Sequence, residues 1–185
     1  VNDAYMWARL QDLRLDRAIL QDFVSDMRNN PYLLPEFMTE LGIMHYRGLL
    51  EGRADSLHLN GAFTSRVGVI TTKGHLKRDI TDDTRPTFFI GNIETKDFAL
   101  GKLLRQDDLG NVSASINGRA RVSKVQPFEA KVKVHVSDIE YRKYVYHDAI
   151  IDGEYHEHEF QGSMNIEDEN ISANFNGLVD FRNSI

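Results

Sequence analysis

From residue 110 to residue 123 the chain alternates. Val112, Ala114, Ile116, Ala120 and Val122 fall on one side of an extended backbone, and Asn111, Ser113, Ser115, Asn117, Arg119 and Arg121 on the other, because successive side chains of a strand point to opposite faces. The alternation returns at 129–136, and again where Ile171, Ala173, Phe175, Val179 and Phe181 interleave with Ser172, Asn174, Asn176 and Asp180. Further period-two stretches predict strands at 4–10, 43–52, 56–64, 69–77, 87–97, 139–146, 149–155 and 158–166. Turn signals about every 8–12 residues mark an antiparallel meander.

Two stretches follow a helical period instead. Asp16 suits a helix N-cap, with Leu15 and Leu20 placed for a hydrophobic staple, and Leu15, Ile19, Phe23 and Met27 recur at four-residue spacing up to the Arg28-Asn29-Asn30-Pro31 stop. A second short helix is expected from Pro35 to Leu41, closed by Gly42. The segment 98–105 breaks the alternation and predicts a helical turn or a bulged excursion. The expected architecture is therefore mainly β, a curved antiparallel meander sheet with two short N-terminal helices. Residues 1–42 supply a strand and the two helices packing on the sheet, residues 43–185 supply the sheet, and the whole is one structural unit cut from a longer protein.

About ten or eleven strands at ~4.8 Å each would make a sheet about 50 Å wide. Two short helices cannot pave one face of it. The sheet has to close into a sandwich, barrel or trough, or keep apolar surface for a ligand. A chain of 185 residues can bury a core of its own. The net charge of −6 argues against nucleic acid, whose phosphates need a basic surface. The absence of cysteine excludes disulfides and thiolate metal sites. No apolar run reaches the ~20 residues that span a bilayer, so any targeting segment is expected outside this stretch.

Several phrases stand out when taken in order: Leu34-Pro35-Glu36-Phe37 through Leu41-Gly42-Ile43, Tyr46-Arg47-Gly48, Gly61-Ala62-Phe63-Thr64-Ser65 with Gly68, the run 98–104, Leu109-Gly110-Asn111-Val112-Ser113, and the run 160–170 followed by Asn174-Phe175-Asn176-Gly177 and Asp180-Phe181. Together they resemble the AsmA/TamB-like translocation and assembly module family of Gram-negative bacteria, in particular its Bacteroidota branch. The resemblance covers the chain from about Asp12 onward. It implies an internal segment of a periplasmic protein anchored in the inner membrane. Repeated strands would form a β-taco, a U-shaped groove whose apolar inside conducts phospholipid between the membranes. An outer-membrane assembly protein is the other implied partner.

The residues themselves suit such a groove. A lipid tail gains ~0.8 kcal/mol per buried methylene and needs no directional chemistry. Val112, Ala114, Ile116, Val132, Val134, Ala173 and Val179 would leave room for it, with Phe175 and Phe181 as walls. The alternative is a dry sandwich core. Two further functional alternatives are a scaffold that accepts outer-membrane strands at its edges and a glycan-binding or glycan-cleaving β domain, for which Tyr141, Tyr144, Tyr146 and Tyr155 would form the platform.

His156 and His158 fall on one side of an expected strand, but two ligands do not make a zinc site, and the solvated face of an edge strand is the plainer explanation. Lys131, Lys133 and His135 with Arg119 and Arg121 make a small basic stripe on the polar face, by default a solvated surface that lipid headgroups could touch at a groove rim. Nucleophile elbow, phosphate loop and His-Glu-x-x-His helix are all missing, and Asp79, Asp82, Asp83, Asp107 and Asp108 cluster in expected turns. No enzyme, no metal and no cofactor is expected.

Overall fold

A computed structural model of the chain describes residues 4–28, 33–34, 36–82, 84–123 and 125–182, with the side chains of residues 23, 24 and 26–28 outside that description. The protein is mainly β. The first five strands are β1 (Tyr5–Leu15), β2 (Met44–Arg53), β3 (Ser56–Ser65), β4 (Gly68–Lys77) and β5 (Thr87–Phe98). The last five are β6 (Leu109–Val122), β7 (Glu129–Tyr141), β8 (Tyr144–His156), β9 (Glu159–Glu167) and β10 (Ser172–Asp180). All ten lie in one open antiparallel sheet in which spatial order equals chain order. Three short helical pieces accompany it: α1 (Arg17–Arg28), a 3-10 helix (Glu36–Leu41) and α2 (Leu100–Leu104).

The first helix starts where its cap chemistry places it. Asp16 Oδ1 accepts the backbone N–H of Ile19 at 3.0 Å, satisfying one of the donors a helix start leaves open. Leu15 and Leu20 both pack against the core, as a staple requires. The stop at Asn29-Asn30-Pro31 and the start at Pro35 lie outside the described residues, as do Asp83 and the side chains of Phe23 and Met27. The second piece ends at Gly42, whose φ of +65° is the left-handed conformation glycine adopts without strain. The third, inside the sheet, is closed by Arg105 in the left-handed region (φ 55°).

One hairpin and one strand end differ from the sequence expectation. The expected breaks near residues 137–138 and 147–148 are absent, and a single strand β7 runs through to Tyr141, pairs with Tyr144 and returns as β8. The turn is Arg142-Lys143, both at positive φ (50° and 67°), a two-residue reversal made without the usual Asn or Gly. Strand β1 also outruns its expected end by five residues, reaching Leu15.

One device accounts for the continuity of β1 and of β7. The pairing slips between Leu10 and Leu13 in β1 and between Thr95 and Phe98 in β5. In β7, Val136 and Ile139 are three residues apart yet pair with Ala114 and Val112, which are two apart. An extra residue at a β-bulge turns the following side chains back onto the face they would have left. Apolar residues three apart thus stay on one side of the sheet.

The core lies at the bulged end. Leu41, Met44, Val67, Phe98, Val112, Val136 and Ala149 are buried there, with Leu20, Met38, Leu100 and Leu103 of the helical pieces packed against them. Arg105 ties two of those pieces together, donating to Glu40 Oε1 at 3.1 Å and to Thr39 Oγ1 at 3.1 Å. The rest of the sheet has, among the described residues, no comparable interior. Among the described residues even the best buried, Tyr46 and Val67, keep 3% of their surface.

Candidate functional site

The register divides the sheet into an apolar face and a polar face. Directly opposed residues of neighbouring strands share a face, so the pairings can be followed from one edge to the other. One such line runs Leu10, Gly48, Gly61, Thr72, Ile93, Ile116, Val134, Ile151, Met164, Phe175. One residue along each strand, the line reads Arg9, Leu49, Asn60, Lys73, Asn92, Asn117, Lys133, Asp152, Ser163, Asn176. The first is hydrocarbon with a single hydroxyl, the second almost wholly polar.

All the groove candidates within the strands fall on the apolar face. Ala114, Ile116, Val132 and Val134 are half-buried in its centre, and Ala173, Phe175 and Val179 sit on β10 at its edge, where Phe175 and Val179 expose 45% and 39%. Phe181 follows the end of β10, and its ring lies 6.5 Å from that of Tyr155, which is on the same face. Val112 is separated from the others by its burial: it belongs to the closed core under the helical pieces. The apolar face is thus plugged at one end and lined beyond it by half-buried side chains.

Sequence reasoning missed what floors that face. The next line of pairs toward the unplugged end includes Gly74, Gly91, Gly118, Gly153, Gly162 and Gly177. Aromatic rings lie on most of them: a Cβ on Gly74 would come within 2.5 Å of the Phe89 ring, and one on Gly153 within 2.4 Å of the Phe160 ring. An aromatic side chain laid over a cross-strand glycine covers backbone that the glycine leaves bare. At Gly118 the nearest side chain is Val132. The signal was in the sequence as glycines in the middle of alternating strands, where they mark close approach rather than turns.

The polar face carries ion pairs. Arg121 donates to Glu129 Oε2 at 2.9 Å and Lys131 to Glu154 Oε1 at 2.6 Å. These cations hold the Glu129 and Glu154 carboxyls below the usual range. The expected basic stripe is on this face, with Arg119 opposite Lys131. A depression of about 600 Å³ opens here, around Phe88 and Ile90.

The remaining candidates do not assemble. Instead of sharing one side of a strand, His156 ends β8, 3.3 Å from Glu129, and His158 occupies the turn at φ 74°. Among the described residues no three His, Cys, Asp or Glu side chains form a ligand set. Tyr144 and Tyr146 contact at 4.6 Å beside the β7–β8 turn, but Tyr155 lies at the other end of β8, against Phe128. Among the described residues no helix is long and apolar enough to cross a membrane. No family model, curated protein or solved structure matches the chain. Any reading of function therefore rests on what the two faces of the sheet can do.

Proposed function

We propose that this chain is an internal segment of an AsmA/TamB-like protein of the bacterial cell envelope. Its sheet curls into a periplasmic β-taco whose apolar face conducts phospholipid between inner and outer membranes, and the full-length protein is anchored in the inner membrane. One observation carries the reading: the ten strands turn most of their hydrocarbon to one face, and the helical pieces bury only one end of it. Exposed apolar surface costs about 25 cal/mol per Å² in water, so a face this broad favours a hydrocarbon occupant. The backbone beneath is paired strand to strand, so an acyl chain meets side chains and no orphan amides.

The test is native mass spectrometry of the protein purified from an envelope extract. Phospholipid-sized adducts are expected on the parent, and Ile116→Lys, which sets a charge in the middle of the lining, should strip them. A parent free of lipid under conditions that retain it on a known carrier sinks the reading.

A second reading is favoured by the edge of the sheet. Strand β10 has nine residues, no Pro, no Lys and no bulge, and its one charge, Asp180, is at its end. Natural edges are normally blunted by such features, and β1 has both charges and a bulge. An unblunted edge suits strand addition, the step by which a scaffold for outer-membrane protein assembly would hold its client.

A further inference from the structure

The polar face holds a second site, unrelated to the apolar lining. Three consecutive large apolar residues, Phe88, Phe89 and Ile90, lie in β5. Only Phe89 can reach the apolar face, so Phe88 and Ile90 are left on the polar side, exposing 44% and 59% of their surface. Neither stands among neutral neighbours. Phe88 is opposed by Lys77 on one side and Arg121 on the other, and Ile90 by His75 and Arg119.

The depression of about 600 Å³ around them falls within the usual range of a small-molecule site. Its charge runs against that of the chain. Lys77, Arg119, Arg121 and Lys131 line it against only Glu129 and Glu154, whereas the whole protein has a net charge of −6. Arg121 and Lys131 are taken up by those two carboxylates. Among the described residues the side chains of Lys77 and Arg119 make no hydrogen bond and no close ion pair; the Glu154 carboxyl is held down first by Lys131 and only to a smaller extent by Arg119, so two cations flank a bare hydrocarbon step.

We infer that this depression binds an anionic amphiphile, its acid headgroup held by Arg119 and its alkyl chain laid over Ile90 and Phe88. The guanidinium offers a forked pair of donors that matches carboxylate or phosphate oxygens. Beyond Phe88 a second depression of about 450 Å³ shares Phe88 and Lys77 and reaches Pro86 and Ile80, which stand among the charged side chains of Arg53, Asp55, Arg78, Asp79 and Arg85. From Ile90 to Pro86 the strand advances about 14 Å, about the reach of an extended dodecyl chain. Fatty acids and lipid phosphates share this chemistry, and the probes separate them.

The experiment uses isoleucine-methyl NMR of the whole chain, because Ile80 and Ile90 border this site while Ile93, Ile116 and Ile151 report the opposite face. Dodecyl phosphate, below its micelle concentration, is expected to move Ile90 and Ile80 and leave the other three in place. Arg119→Gln should weaken it about tenfold, equivalent to about 1.4 kcal/mol, without changing the weak binding of dodecanol. Dodecanoate binding as well as the phosphate identifies a general acid amphiphile; much weaker binding identifies a phosphate headgroup. The inference fails if shifts are confined to Ile93, Ile116 and Ile151, if Arg119→Gln binds as tightly as the parent, or if inorganic phosphate competes as strongly as the alkyl ester.

Discussion

Single residues decide how closely the strands of this sheet are dressed. At Gly153 an added Cβ would stand 2.4 Å from the Phe160 ring and 2.7 Å from the backbone oxygen of Gln161. The ring can turn away but the carbonyl cannot, so Gly153→Ala should cost about 1–3 kcal/mol, read as a lower midpoint in urea. Charge at this scale is exposed and modest. The Arg182 guanidinium, aided by its own backbone N–H, holds the Asp180 carboxyl down from 3.8 to about 2. A carboxyl depressed in the folded state stabilises fully above its unfolded value and loses that contribution as pH falls through the folded one. Thr81 and Thr84 lower Asp79 and Asp82 in the same direction through their hydroxyls and backbone N–H groups. Thermal stability should therefore fall as pH drops from 3.8 toward about 2, and Asp180→Asn should make that fall shallower. An unchanged slope in the variant would show that Asp180 contributes nothing to it.

At the scale of elements, the plug depends on short helices that have few residues with which to hold themselves. The Asp16 carboxylate is the described side-chain cap of α1, and Asp16→Ala should cost about 1 kcal/mol, seen as faster hydrogen exchange in α1 with little change in the central strands. Most elements were legible in the sequence, for a physical reason: a strand with one wet face shows its period directly, as 110–123 does. What misled was the bulge. Apolar spacing of three, at Leu10 and Leu13 or Val136 and Ile139, reads as the end of one strand and the start of another. In the folded chain it is one strand with an extra residue that restores the side-chain face. The Arg142-Lys143 turn was illegible for the complementary reason. Neither residue is a turn former, and its two left-handed conformations are held by the pairing of Tyr141 with Tyr144 and by the Arg142 N–H donating to Asp108 O at 2.7 Å. That the groove candidates share one face was legible because a face is a property of parity. The burial of Val112 was not, since it depends on helical pieces packing from elsewhere in the chain.

For the molecule as a whole the question is whether the apolar face acts as one surface. Ten strands at roughly 4.8 Å per step span roughly 43 Å, far wider than one acyl chain. A conduit and a local pocket then make opposite demands on Ile93, Ile116 and Ile151, which lie along a single line of pairs on β5, β6 and β8. If hydrocarbon moves along the line, a charge anywhere on it obstructs passage, because each residue is met in turn and desolvating an unpaired ammonium against hydrocarbon is costly. If hydrocarbon only rests in one place, a charge outside that place is harmless. All three side chains are half-buried, so a lysine at any of them can extend its ammonium to water and spare the fold. Ile93→Lys, Ile116→Lys and Ile151→Lys should each keep a melting temperature near that of the parent. Each should also cut transfer of a fluorescent phospholipid between donor and acceptor vesicles by a similar factor. Loss confined to one of the three would replace the conduit with a single seat at that strand.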